Sequence, residues 1–174
     1  MTRLLIWGAG QHGQVVAELA ELCGHEVKGF VDREPSGARS IPEDDARRSL
    51  RAGEVPFSAD RLVLAIGDNQ VRLALMDEYA AVLAPALIHP RAWVSPSALI
   101  GPGTVVLPAA VIQTRAQVGR SVIVHVGAIV DHDAVIEDGA YLSPGSIVCG
   151  AGSVARGVQL GAGMVVGKFE RFAG

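Results

Sequence analysis

A repeat of six residues constrains the fold of this chain more than any other feature of its sequence. Every sixth residue from Ile88 to Val166 is Val, Ile or Leu, and the residue four places after each is mostly small. A helix repeats every 3.6 residues and a strand every 2, so this period fits neither. It is typical of a chain that turns a corner every six residues, as in a parallel β-helix. With three sides per coil, residues 88–167 predict between four and five coils.

The first half of the chain shows a different pattern, in which apolar strands alternate with helices. Strands are predicted in "RLLIW", "HEVKGFVD" and "RLVLAIGD", and helices in "QVVAELAELC" and "NQVRLALMDEYA". Residues 33–60 are polar, contain Pro and Gly, and are interpreted as a connection. The alternation predicts a small Rossmann-like parallel sheet with helices packed on it. We therefore expect an α/β domain over residues 1–86 and a β-helix over residues 87–174.

Composition excludes several classes of function. Hydrophobic residues make up 49% of the 174 residues and charged residues 19%, which is ample for a buried core. The net charge of −3 and the scattered Lys and Arg disfavour binding to nucleic acid or to an anionic membrane. No apolar run is long enough to span a bilayer, and the N-terminus lacks a signal-peptide pattern, so a cytoplasmic protein is expected. Cys23 and Cys149 alone support neither a disulfide framework nor a zinc site.

Two motifs contain residues that could carry chemistry. The first is "GAGQHG", which fits G-x-G-x-x-G at a strand-to-helix junction, where backbone N–H groups can meet a phosphate. Its usual interpretation is a site for NAD, with Asp32 on the ribose, but fewer than ninety residues precede the repeat, too few for a full dinucleotide fold. The second is the triplet Asp131, His132 and Asp133, which interrupts the regular repeat. A histidine at a surface corner is the simplest alternative interpretation of His132.

Four segments together indicate a family. The sequence resembles the sialic-acid and bacillosamine type of sugar O- or N-acetyltransferase in "GAGQHG", "AIGDNQVR", "LIHPRAWVSPSALIG" and "VGAIVDHDAVIEDGAYLSPGSIVCG". In that family a small nucleotide-sugar-binding domain precedes a left-handed parallel β-helix, and the resemblance covers essentially the whole chain. It implies acetyl-CoA as cosubstrate, a nucleotide sugar as acceptor, a role in polysaccharide synthesis, and a homotrimer with active sites between neighbouring protomers.

The resemblance also implies roles for residues in the repeat. His132 corresponds to the general base, and a carboxylate on its other ring nitrogen would fix the tautomer, with Asp133 the first choice and Asp131 the second. Gly150 corresponds to the residue whose backbone N–H stabilises the oxyanion. An ordinary corner glycine is the competing interpretation, but Gly150 lies one predicted coil after His132, so the two should stack.

The same resemblance implies that the α/β domain holds the nucleotide sugar. The predicted contacts are Gly8, Gly10, Gln11, His12 and Gly13, with Asp32 near the nucleoside and with Gly67, Asn69 and Arg72 lining the same crevice. For the segment 67–69, capping of a helix that starts near Asn69 is an open alternative.

Three features depart from the family pattern. Tyr141 stands nine residues after His132, where a second histidine is common; it is expected on the acetyl-CoA side as a hydrogen-bond donor. His125 stands where asparagine is usual, and the chain ends soon after the last hexapeptide, where Lys168 or Arg171 could meet CoA phosphates. These departures leave two alternatives: a trimer that binds nucleotide sugar without transferring acetyl, and an acyltransferase for another small acceptor.

Overall fold

The N-terminal part of the chain is a parallel sheet with helices packed on it. The computed structural model describes residues 1–35 and 37–174. The strand order is β3-β2-β1-β4, and the elements are β1 (Arg3–Trp7), α1 (Gln11–Leu22), β2 (Glu26–Asp32), β3 (Ser40–Pro42), α2 (Glu43–Arg51), β4 (Arg61–Leu64) and α3 (Asn69–Glu78). This confirms the predicted Rossmann-like sheet. Within the described residues, no helix is both long and apolar enough to cross a membrane.

The described part of the stretch 33–60 contains elements that the sequence did not predict, namely β3, α2 and a short 3₁₀ turn at Pro56–Ser58. The helix α2 has three acidic residues in its first turn and arginines in its last, which suits the helix dipole. Ala46 is its one fully buried residue, so the helix lacks the apolar periodicity by which helices are recognised. The prediction of a plain connection was therefore wrong.

From Leu87 onward the chain is a left-handed parallel β-helix with three faces, each a sheet of two-residue strands. Face 1 consists of β5 (Leu87–Ile88), β8 (Val105–Val106), β11 (Ile123–Val124), β14 (Tyr141–Leu142) and β17 (Gln159–Leu160). Face 2 consists of β6 (Trp93–Val94), β9 (Val111–Ile112), β12 (Ile129–Val130), β15 (Ile147–Val148) and β18 (Val165–Val166). Face 3 consists of β7 (Leu99–Ile100), β10 (Gln117–Val118), β13 (Val135–Ile136), β16 (Ser153–Val154) and β19 (Arg171–Phe172).

The second residue of each strand points into the prism, which confirms the six-residue pattern. These aliphatic side chains and the small residues at the corners form one continuous core that includes Val106, Ile112 and Val130. The last strand, β19, pairs with β16, and Phe172 continues the inward series beyond Val166. The segment "GKFERFAG" is therefore part of the β-helix.

From Gly103 onward each corner turns through a left-handed residue, whereas Arg91 and Ser97, at the first two corners, lie outside that region. From Gly103 to Phe169, every sixth residue has φ between +50° and +73°. Glycine takes this conformation freely, Asp and Asn adopt it more readily than most other residues, and other side chains pay a steric cost. Ala109, Arg115, Ser121, Asp133 and Ala151 occupy such positions.

The α/β domain packs on face 1. The outward side chains of Leu87, Val105 and Ile123 are almost completely buried and join the same apolar cluster as Leu4 and Ile6 of β1. The first three coils of face 1 are thus covered by the chain's own N-terminal part, whereas the outward residues of face 2 include the exposed Trp93 and Val165.

The corner geometry predicts a stabilising substitution. Ala109 is exposed and has φ +60°, so Ala109→Gly should raise the free energy of unfolding by about 0.5 to 1 kcal/mol, because relief of the left-handed strain exceeds the entropy cost of glycine. Urea denaturation monitored by circular dichroism would measure it. The control is Ala162→Gly, at an exposed corner position outside the left-handed region, which should destabilise; equal destabilisation by both would contradict the argument.

Candidate active site

His132 lies at the corner between face 2 and face 3, and its ring is held by Asp133. The ring Nδ1 is 2.8 Å from Asp133 Oδ2, and about half of the side chain is exposed. Asp131 behaves differently, since its Oδ1 accepts the backbone N–H of His132 at 2.7 Å. Asp133 therefore makes the contact that would fix the tautomer, with Nδ1 protonated and Nε2 free to accept a proton.

The carboxylate of Asp133 is in turn fixed by Arg115 of the preceding coil. Arg115 donates from Nε to Oδ1 at 2.6 Å and from its terminal nitrogen Nη2 to Oδ2 at 2.8 Å. These hydrogen bonds, followed by the one with His132, lower the pKa of Asp133 to about 2. Arg115 was not among the predicted residues. It could have been found, because it precedes Asp133 by the eighteen residues of one coil.

Gly150 lies directly against the imidazole. A Cβ atom placed on Gly150 would be 2.6 Å from His132 Nε2, so the ring can occupy its position only because residue 150 has no side chain. Among the described residues, the backbone N–H of Gly150 has no hydrogen-bond partner. The expected stacking of His132 and Gly150 is present, and it brings a proton acceptor next to an unpaired backbone donor.

The glycine loop after β1 contains two glycines that packing requires and one that packing does not explain. A Cβ at Gly8 would approach Ala65 O to 2.5 Å, and one at Gly13 would approach Gly8 O to 2.0 Å. Gly10 and, after β4, Gly67 would meet nothing within 4 Å. Gly10 is also the N-cap of α1 and offers no side-chain cap, while the neighbouring Gln11 is exposed. The open backbone at Gly10 and the start of α1 could receive an anion.

Asp32 ties this loop to the end of β2. Its Oδ2 accepts the N–H of Ala9 at 2.7 Å, and this hydrogen bond is the main cause that lowers its pKa. Asp32 also borders a crevice of about 250 Å³ at the carboxyl ends of the strands, lined by Trp7, Val31, Asp32, Arg33, Glu43, Ile66, Asp68 and Val71. In open α/β sheets this edge is where ligands bind. Arg33 and Glu43 were missed because they fall in the stretch interpreted as a connection.

His12, His125 and Tyr141 form a row of rings where the α/β domain meets the corner between faces 1 and 2. The ring centroids are 6.4 Å apart for His12 and His125, and 6.0 Å apart for His125 and Tyr141. The buried Nε2 of His12 has no partner among the described residues. Burial, with contributions from His125 and Arg72, lowers the pKa of His12 to about 4, and burial raises the pKa of Tyr141. Tyr141 is thus connected through His125 to His12 of the glycine motif.

Arg72 and Asn69 join the two parts of the chain. Arg72 is completely buried, and its guanidinium donates to the carbonyl oxygens of Ile66, Ser121 and Gly139 and to Asn69 Oδ1. Asn69 donates to Gly157 O at 2.9 Å. Burial lowers the pKa of Arg72 to about 10, which leaves it charged at neutral pH. The proposed helix cap is supplied by Asp68, whose Oδ1 accepts the N–H groups of Gln70 and Val71.

The predicted site residues therefore form two groups. His132, Asp133 and Gly150 lie together at the corner between faces 2 and 3. The glycine loop, His12 and Tyr141 lie together at face 1 and its border with face 2. The full width of face 2 separates the groups within one protomer.

Comparisons with known proteins agree with both halves of the chain. The family model described as the PglD N-terminal domain matches residues 3–79. The acetyltransferase domain of PglB from Neisseria gonorrhoeae FA1090, solved with acetyl coenzyme A, is 33% identical, and the alignment covers 98% of this chain and 84% of that chain with a TM-score of 0.86. A search among curated proteins gives no match.

Two further solved structures extend the comparison. A mutant of perosamine N-acetyltransferase from Caulobacter crescentus, solved with CoA and GDP-perosamine, is 30% identical over 99% of this chain and 89% of that chain, with a TM-score of 0.81. WeeI from Acinetobacter baumannii AYE is 19% identical over 95% of this chain and 96% of that chain, with a TM-score of 0.59, and shows a likeness of fold alone.

The lowered pKa of His12 predicts a pH dependence of stability. An unfolded histidine titrates near 6.5, so the folded state binds fewer protons between pH 6.5 and 4, and stability is lost as the pH falls through that window. We expect the free energy of unfolding to fall by roughly 1 to 2 kcal/mol more in the wild type than in His12→Gln between pH 7 and pH 5. Urea denaturation at both values measures the difference. His89→Gln is the control, and parallel behaviour of wild type and His12→Gln would refute the assignment.

Proposed function

The chain belongs to the family of hexapeptide-repeat sugar acetyltransferases with an N-terminal domain of the PglD type, and on that premise we propose that His132 is its general base and that a nucleotide-activated sugar supplies the acceptor group. The enzyme is an acetyl-CoA-dependent sugar acetyltransferase. The observation that carries the proposal is the contact of His132 with both Asp133 and Gly150.

The arrangement supplies the two functions that acetyl transfer needs. The acceptor must lose a proton as it attacks the thioester carbonyl, and Nε2 of His132 can take it while Asp133 stabilises the resulting imidazolium. Negative charge then develops on the carbonyl oxygen, and the unpaired N–H of Gly150 is a positioned donor for it. When the C–S bond breaks, the imidazolium can return the proton to the thiolate of CoA.

The α/β domain offers a place for the nucleotide sugar. The crevice at the strand ends suits the nucleoside, and the open backbone at Gly10 and the start of α1 suits a diphosphate. We therefore keep Gly8, Gly10, Gln11, His12, Gly13, Asp32, Gly67, Asn69 and Arg72 as substrate-site residues, with Arg72 acting by positioning the loop. Tyr141, beside His125, is proposed to face the acceptor and the acetyl group.

Removal of the base tests this proposal. His132→Ala should lower kcat for thiol release from acetyl-CoA by about 10²- to 10⁴-fold, with the fold unchanged, because the acceptors that remain at this corner are carboxylates, which are much weaker bases than an imidazole. The assay follows free thiol in the presence of UDP- and GDP-linked amino sugars. Asp133→Asn should give a smaller loss together with a shifted pH profile.

The control for this experiment is His89→Ala, another histidine at a corner of the β-helix, which should retain activity. If His132→Ala were as active as the wild type, the assignment of the base would be wrong. If the wild type bound nucleotide sugar but released no thiol, the binding-module alternative would replace the proposal.

We also propose that the active site is completed by a second protomer within a homotrimer. The outward side chains of face 2 are all apolar: Trp93, Val111, Ile129, Ile147 and Val165. Trp93 and Val165 are at least half exposed, and a continuous exposed apolar strip marks an interaction surface. A second copy of the chain is the natural occupant, because a closed three-fold arrangement covers the same strip on every protomer.

The trimer would also solve the separation of the two groups of site residues. If face 2 of each prism turns toward a three-fold axis, the corner between faces 2 and 3 of one protomer meets the corner between faces 1 and 2 of the next. His132 of one protomer then approaches the row of His12 and His125 in its neighbour. A sugar held by the glycine loop would thus be acetylated with the base of the adjacent protomer.

Mixed trimers test the shared site. Gly10→Asp should fold, because a Cβ there meets nothing within 4 Å and Asp caps helices well, but its charge would repel a diphosphate. Gly10→Asp and His132→Ala proteins, each inactive alone, should recover about a quarter of wild-type activity after unfolding and random reassembly at equal amounts. Gly10→Ser is the neutral control. Mixtures that stay inactive, or a monomer in light scattering, would contradict the shared site.

A further inference from the structure

Asp131 places an acceptor atom beside the reacting nitrogen of His132 that the mechanism above does not use. Its Oδ1 accepts the backbone N–H of His132, and its Oδ2 lies 3.9 Å from His132 Nε2. No hydrogen bond to Oδ2 occurs in the part of the chain that the structure describes. The side chain is 39% exposed, so this oxygen can be reached from solvent.

The hydrogen bond to the backbone N–H of His132 gives a structural role to Oδ1 of Asp131, but no such role is apparent for Oδ2. At other corners, the backbone N–H that corresponds to that of His132 is also bound by one side-chain atom. Glu137 accepts the N–H of Arg156, and His125 accepts the N–H of Val126. At Asp131 the capping contact also orients the carboxylate, and its second oxygen lies 3.9 Å from Nε2, the ring nitrogen that lies against Gly150. An atom that approaches Nε2 to give up a proton therefore meets Asp131 Oδ2 as well.

Two acceptors at this spacing suit an amine better than a hydroxyl. A neutral primary amine has two N–H groups and one lone pair, so it can donate to Nε2 and to Oδ2 at once and leave its lone pair for attack. A hydroxyl has a single hydrogen; once that hydrogen points to Nε2, the carboxylate oxygen faces a lone pair and both acceptors cannot be satisfied. An ammonium ion, the main form of such amines at neutral pH, would also be attracted to the carboxylate.

We propose that Asp131 is a specificity-determining residue that binds the acceptor amine and makes the enzyme an N-acetyltransferase in preference to an O-acetyltransferase. This inference rests on the proposed function of His132. The ammonium first loses one proton to solvent, and the amine nitrogen then bonds to the carbonyl carbon. The C–S bond breaks, and the second proton passes through Nε2 to the thiolate, which gives an amide and free CoA.

The experiment compares two acceptors that differ in one group. One is a UDP- or GDP-linked sugar with a primary amine, and the other is the same compound with a hydroxyl in its place. The wild type should favour the amine in kcat/KM. Asp131→Asn keeps the backbone cap but turns an N–H donor toward the acceptor, so kcat/KM for the amine should fall roughly 10- to 100-fold and the hydroxyl should lose less.

Asp133→Asn is the matched control, because it weakens His132 without touching the acceptor. It should lower both rates by a similar factor and leave the amine-to-hydroxyl ratio of kcat/KM unchanged. If Asp131 had a merely structural role, Asp131→Asn would likewise leave this ratio unchanged. The proposal is overturned if Asp131→Asn also leaves that ratio unchanged. It is also overturned if the unmodified protein prefers the hydroxyl acceptor. Absence of thiol release with either acceptor would instead refute the proposed function itself.

Discussion

The left-handed residue at every corner from Gly103 onward is the constraint on which the rest of the β-helix depends. This chain turns once every six residues and pairs with itself one coil later, and every sixth residue from Gly103 to Phe169 lies at positive φ. The turn also leaves the preceding N–H without a backbone partner. Proline fills that position at three of these corners, namely Pro102, Pro108 and Pro144, and side chains cap it at others. Backbone geometry thus decides which residue types each corner accepts.

Because one coil of the β-helix has eighteen residues, residues that are eighteen apart in the sequence lie next to each other on adjacent coils. Arg115 pairs with Asp133, Arg120 pairs with Asp138, and the His132 ring rests on Gly150, each across one coil. The candidate catalytic centre is assembled from these vertical columns. A carboxylate at the left-handed position can point to the ring of the preceding residue, and a glycine one coil later supplies an unpaired N–H beneath that ring. No additional loop or insertion is needed to bring the imidazole and the unpaired backbone N–H together.

The sequence predicted the periodic features well, because a period can be read without knowledge of contacts. The faces of the β-helix and the stacking of His132 on Gly150 follow from counting in sixes. Features set by the surroundings of single residues could not be read in this way. Arginine is usually exposed, so the burial of Arg72 between two parts of the chain leaves no pattern. The helix α2 fully buries only Ala46, so it shows no apolar pattern. Which of Asp131 and Asp133 contacts the ring of His132 depends on the backbone, since Asp133 has a positive φ, and two aspartates cannot be told apart by residue type.

The buried hydrogen bonds of Arg72 favour the proposal that assembly, rather than a hinge, completes the site. Its guanidinium holds the loop after β4 to the carbonyl oxygens of Ser121 and Gly139, so the α/β domain cannot rock on face 1 without breaking charge-assisted hydrogen bonds in a buried place. The glycine loop is therefore kept at a fixed distance from its own His132, with face 2 between them. Under the proposed function, a substrate held by that loop would need a base from a second protomer. The α/β domain leaves the apolar face 2 uncovered, and we propose that the second copy binds there.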